Sequence, residues 1–159
     1  MFGRPRRRIQ ARQGRYVLRL DARERELVRE LLGELRELLA LSPDDPRVRR
    51  LYPAAYSDDN EREDEYRRLT REELQNGRLA SIEEVARTID EPALSPDQLT
   101  AWMQSINTLR LILGTMLDIT DDNQEPAFDP ENDPNARTVA LYGYLGVLLD
   151  EIVTAQLDR

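Results

Sequence analysis

The stretch Ser95-Pro96-Asp97-Gln98-Leu99-Thr100-Ala101-Trp102-Met103-Gln104-Ser105-Ile106-Asn107-Thr108-Leu109-Arg110-Leu111-Ile112-Leu113-Gly114 decides the class of fold. Ser95 is a helix N-cap. Pro96 suits the first helical position, where its missing N–H costs nothing, and Gln98 completes a capping box by reaching back to the cap backbone. Leu99, Trp102, Met103, Ile106, Leu109, Ile112, Leu113, Met116 and Leu117 then recur at spacings of three and four. That period predicts an amphipathic core helix from Asp97 to about Leu117. Asn107 and Arg110 share a face beside its apolar side. A guanidinium half-buried there needs a carboxylate or several carbonyls. The expectation is an internal ion pair that orients helices, with a ligand or partner site as the alternative. Gly114, and Gly143 and Gly146 further on, predict close helix approach.

The same periodicity extends along most of the chain. Asp21 and Glu24 form a capping-box pattern before a helix over Ala22 to Ala40, with Leu27, Val28, Leu31, Leu32, Leu35, Leu38 and Leu39 as its stripe. A helical turn is expected from Pro46 to about Leu51, followed by an aromatic loop, Tyr52 to Tyr56. Asn60 to about Ile89 is polar, yet Tyr66, Leu69, Leu74, Leu79, Ile82, Val85, Ala86 and Ile89 keep a helical rhythm, so one helix with a weak point at Asn76-Gly77 is expected. Pro134 opens a final helix to about Leu157. Its stripe is Val139, Tyr142, Leu145, Leu149, Ile152 and Val153, widened by Leu141, Leu148 and Ala155. Ahead of all this, Arg8 to Ala11 and Arg15 to Leu20 flank Arg12-Gln13-Gly14, a connection of hairpin length, with Tyr16, Leu18 and Leu20 on one strand face. The expected architecture is mainly α: a single helical-bundle domain with a small N-terminal β-hairpin. Residues 1–14 are a basic arm and the start of the hairpin, and 15–159 the helical domain with an acidic loop at about 118–133.

Composition narrows the chemistry. The 159 residues include no cysteine and no histidine, and all 23 basic residues are arginine. Zinc sites of the usual ligands, thiol nucleophiles, disulfides, imidazole acid–base catalysis and Schiff-base lysines are therefore excluded. Carboxylates, hydroxyls and arginine remain. The acidic loop (Asp121, Asp122, Glu125, Asp129, Glu131, Asp133) fails the EF-hand pattern, because counting from Asp129 the sixth residue is Pro134 and the twelfth Ala140. Pairs such as Glu72-Glu73 and Glu83-Glu84 read as solvated helix faces. No Gly-rich phosphate loop and no nucleophile elbow occur. No catalytic residue, metal site or cofactor is assigned.

The net charge of −8 conceals a division: residues 1–20 carry +7 and the other 139 carry −15. An arginine-rich arm on an acidic body can touch phosphate through Arg4, Arg6, Arg7, Arg8 and Arg12 while the body repels nucleic acid. Alternatively the arm folds back onto the acidic body of its own chain or of a second copy. Weak or no direct DNA binding is expected, since DNA-reading domains spread a basic surface over the fold. No stretch approaches the ~20 apolar residues of a membrane span, and no signal-peptide run is present. A cytoplasmic protein without membrane contact is expected.

The run from Trp102 to Gly114, with Leu51-Tyr52-Pro53-Ala54-Ala55-Tyr56 before it and Leu141-Tyr142-Gly143-Tyr144-Leu145 after it, resembles an actinobacterial domain-of-unknown-function family that includes the oxidative stress transcriptional regulator AosR. The resemblance runs from Tyr16 to Leu157, and its motif residues, Tyr52, Pro53, Tyr56, Trp102, Asn107, Arg110, Gly114 and Tyr142, are structural rather than catalytic. It implies a non-enzymatic cytoplasmic regulator whose partner is a sigma factor or RNA polymerase. In the named regulator that contact depends on a cysteine switch, which a chain without cysteine lacks. The function expected is transcriptional, stress-response regulation through protein contact. A dimeric adaptor unrelated to transcription and a carboxylate-metal enzyme stand as alternatives, and the apolar helices also allow a homodimer.

Overall fold

The structure is a computed structural model that describes residues 7–41, 45–52, 61–117 and 134–158, with side chains in the second helix from residue 64. Arg4, Arg6, Pro53, Tyr56 and the acidic loop lie outside the described residues. The elements run β1 (Ile9–Arg12), β2 (Arg15–Leu18), α1 (Ala22–Leu39), a 3-10 turn (Arg49–Leu51), α2 (Glu61–Thr88), β3 (Ala93–Leu94), α3 (Pro96–Met116) and α4 (Ala136–Leu157).

Both capping boxes form. Asp21 accepts from the Glu24 amide at 2.8 Å while Glu24 accepts from the Asp21 amide at 3.0 Å. Ser95 and Gln98 exchange the same pair of bonds at 3.2 and 2.8 Å. Each satisfies two amides that the first helical turn otherwise leaves without partners. α2 is continuous through Asn76-Gly77, as the lack of an internal proline led one to expect.

The hairpin connection is shorter than its sequence implied. Arg12 pairs with Arg15, leaving a two-residue loop in which both Gln13 (φ 52°) and Gly14 (φ 76°) are left-handed. Two left-handed residues give the turn whose twist matches paired strands. The sheet also has a third strand that the hairpin reading lacked: Ala93–Leu94 pairs antiparallel with β2, Tyr16 opposite Leu94 and Val17 opposite Ala93. Ile9, Tyr16, Leu18 and Leu94 all face the core.

α3 is the hub, packing on α2 along one side and α4 along the other, while β1 closes against α4 and α1 against α2. Leu35, Leu39, Leu99, Trp102, Leu148 and Ile152 are fully buried, and each such side chain contributes roughly 1.5–3 kcal/mol of transfer free energy. Trp102 Nε1 donates to Thr88 Oγ1 at 2.8 Å, so the largest core residue also satisfies its polar atom across the α2–α3 seam.

Four apolar expectations need correction. Met116, at the end of the α3 stripe, is 53% exposed rather than core. Tyr66 and Leu69 do not reach the core: they are 72% and 55% exposed, and the inward positions of α2 begin only near Leu74. In α4 the buried line is Leu145, Leu148, Ile152 and Ala155, with Val153 turned outward. By length and composition α4 is also apolar enough to cross a membrane, which corrects the expectation of no such stretch. Its buried line here is core, covered by α3 and β1.

Candidate functional site

The basic arm is the first place where charge becomes geometry. Arg8 forms ion pairs with Glu24 of α1 and, at 3.4 Å, with Glu151 of α4, and its backbone amide donates to Glu151 at 3.0 Å. Its guanidinium lies 5.6 Å from the Tyr144 ring centroid, and the Tyr144 hydroxyl is 3.5 Å from Glu24. Burial, chiefly, and the neighbouring Glu24 push the Tyr144 phenol well above its ordinary value. Arg7 reaches Asp158 at 3.0 Å in an exposed pair. Of the described arm arginines, Arg7 and Arg8 are therefore engaged by acids of their own chain, and Arg12 at the hairpin tip is exposed.

The described motif residues, Tyr52, Trp102, Asn107, Arg110, Gly114 and Tyr142, lie on α3 and its neighbours. Arg110 does not make the expected ion pair among the described residues. Its guanidinium stacks 4.5 Å from the Tyr142 ring centroid, its Nε is buried without a partner, and it fills the space above Gly146. A planar cation over an aromatic face is held without a carboxylate. A Cβ at Gly146 would come within 3.3 Å of Arg110, so that glycine does serve close packing; Gly143 faces open space, and Gly114 only ordinary contact with Tyr142. Asn107 is exposed, while Tyr52 is nearly buried beneath the Arg78 guanidinium at 5.5 Å.

Two concavities flank α3. One is an apolar groove of about 460 Å³ between α1 and α4, with Leu109, Ile112 and Leu113 as its floor and Leu31, Leu35, Leu38 and Leu141 as walls. Glu34 and Glu37 stand on the α1 edge; Arg47 and Arg137 stand among the remaining lining residues. Met116, 53% exposed, sits at its end. Arg47 is held by Asp45 at 2.9 Å, and its hydrogen bonds lower the Asp45 carboxyl to about 2. The other concavity, about 320 Å³, lies between α2 and α3 beside Leu35 and is polar: Glu73, Arg78, Ser81, Gln104, Ser105, Asn107 and Thr108 line it. Neither the groove nor Arg78 was singled out from the sequence. The groove depends on α1 and α4 standing apart, but Arg78 falls four residues from both Leu74 and Ile82, which was a readable sign that it faces inward. Among the described residues no cluster of three or more acidic side chains stands where it could hold a metal.

The model of the family described as "Domain of unknown function (DUF2017)" matches residues 6–156. Curated relatives named "Oxidative stress regulator AosR", from Mycobacterium bovis and Mycobacterium tuberculosis, are 31% identical over 132 residues, covering 72% of this chain and 59% of theirs. The match thus spans about three fifths of those proteins. No solved structure matches the chain.

Proposed function

The chain belongs to the DUF2017 family, and from that premise we propose that it is a non-enzymatic, cytoplasmic regulatory protein that acts by binding a protein of the transcription machinery, a sigma factor or RNA polymerase. The relatives' name, oxidative stress regulator, supports the regulatory part of this reading. The apolar groove across α3 carries the contact part. Its occupant is an amphipathic helix of the partner, with apolar residues at i, i+3 or i+4 and i+7 seated over Leu109, Ile112 and Leu113. A basic flank of that helix faces Glu34 and Glu37, and an acidic flank faces Arg47 and Arg137. This chain holds no cysteine, so its stress response runs without a disulfide switch within it.

Affinity capture from the host, using the wild type and the groove variants Leu38→Asp and Met116→Asp, tests the proposal. Sigma factor or polymerase subunits should be retained by the wild type and lost with both variants, while Leu157→Asp, on a residue 80% exposed outside the groove, retains them. Equal capture by all four proteins would refute the groove as the contact. A homodimeric adaptor is the second reading, favoured by Val147, Val153 and Leu157 exposed on α4. Sedimentation equilibrium of the wild type against Val147→Glu measures it.

A further inference from the structure

We propose that the polar cleft between α2 and α3 is a binding site for a small oxyanion, with Arg78 as its charged anchor and Ser105 as its second donor. Arg78 projects inward from α2. Its Nη2 donates to the Leu51 carbonyl at 2.6 Å and its plane covers Tyr52, so the guanidinium is fixed rather than free to swing into solvent. Its Nη1 is buried without a hydrogen-bond partner, and none of the described carboxylates forms an ion pair with it. Ser105, on the facing helix, lines the same cleft and also has its hydroxyl buried and unpartnered. Two orphaned polar atoms on two helices that border one cavity are a departure from the rule that buried polar groups are satisfied.

The cleft is suited to a ligand rather than to further packing. At about 320 Å³ it falls at the small end of small-molecule sites. Leu35, Leu74 and Ile82 supply apolar lining, and Gln104 and Asn107 are exposed residues that add amides. Gly77 keeps one side open: a Cβ there would meet no atom within 4 Å. Ser81 Oγ lies 2.7 Å from Gln104 Oε1, which ties the two helices together beside the cleft. A water molecule would satisfy the orphaned donors but would leave the Arg78 charge uncompensated, whereas an oxyanion answers both. Glu73, exposed, is the one carboxylate of the lining and disfavours highly charged anions, so the ligand is a small carboxylate or a single phosphate group.

Calorimetric and thermal-shift titrations of the whole chain with acetate, succinate and inorganic phosphate, against sodium chloride at matched ionic strength, test this. Saturable binding of at least one oxyanion beyond the chloride control is expected, and which one binds distinguishes a carboxylate ligand from a phosphate. Arg78→Gln and, separately, Ser105→Ala should each weaken that binding about tenfold or more. Should Arg78→Gln fail to fold, Ser105→Ala and Asn107→Asp, which adds a negative charge to the lining, decide alone: both must weaken binding. Saturation by no oxyanion beyond chloride, or unchanged affinity in the folded variants, overturns the proposal.

Discussion

Replacing Arg8 by Gln removes the cation that holds β1, α1 and α4 together. The side chains of Glu24 and Glu151 are only 18% and 17% exposed, and Arg8 is 34% exposed. Such a cluster lies between a solvated pair, worth ~0–1 kcal/mol, and a buried one, whose broken form costs ~3–5 kcal/mol. Discounting for the exposed third of Arg8, a loss of about 2 kcal/mol is expected. For a domain of this size that lowers Tm by roughly 4–8 °C. The assay is thermal and urea unfolding followed by circular dichroism at low and high salt. Because much of the cost is two largely buried carboxylates left without their shared cation, Arg8→Gln/Glu151→Gln should recover part of the loss and be less salt-sensitive than the single variant. An Arg8→Gln protein as stable as the wild type at low salt would refute this reasoning, as would a double variant less stable than the single one.

Three further outcomes follow from the same geometry. Thr88→Val and Trp102→Phe should each destabilise, and a double-mutant cycle should give a coupling of about 1 kcal/mol for the indole–hydroxyl bond; strict additivity in urea titrations would contradict it. The raised Tyr144 phenol means that the folded state holds its proton more tightly than the unfolded chain. Its contribution is present in full below the ordinary value of 10 and falls as pH rises beyond it. Melting curves of Tyr144→Phe between pH 8 and 11 should therefore fall less steeply than those of the wild type, and parallel curves would count against the assignment. Ser95→Ala should cost about 1 kcal/mol by opening the α3 capping box, measured by chemical denaturation. A change of a few tenths or less would show that the box is not holding the helix start.

The helices were legible because their signals are local. Asp21 with Glu24, Ser95 with Pro96 and Gln98, and the spacing of Leu27 to Leu39 each lie within a turn or two of what they determine. What escaped was decided by residues far apart in the chain. Ala93-Leu94 has no strand signature of its own and becomes one because β2 presents an open edge to it. Arg110 in sequence calls for a carboxylate or several carbonyls, and nothing local shows that Tyr142, 32 positions on, would supply an aromatic face. Tyr66 and Leu69 keep the period of a core stripe, yet period fixes only which residues share a side, and among the described residues no core covers that part of α2. Arg78 was hidden by company, one arginine among many charges. Its spacing from Leu74 and Ile82 carried the information, and the orphaned Nη1 appears only when the cleft is assembled.

Hydrogen exchange of the chain, alone and saturated with whichever transcription protein the proposed capture retains, tests the central claim most directly. The account predicts new protection on residues 31–41 of α1 and its end, 109–116 of α3 and 137–141 of α4, the segments that line the groove. Protection confined to the outer face of α4 or to the hairpin, with the groove exchanging as it does in the free protein, would contradict it.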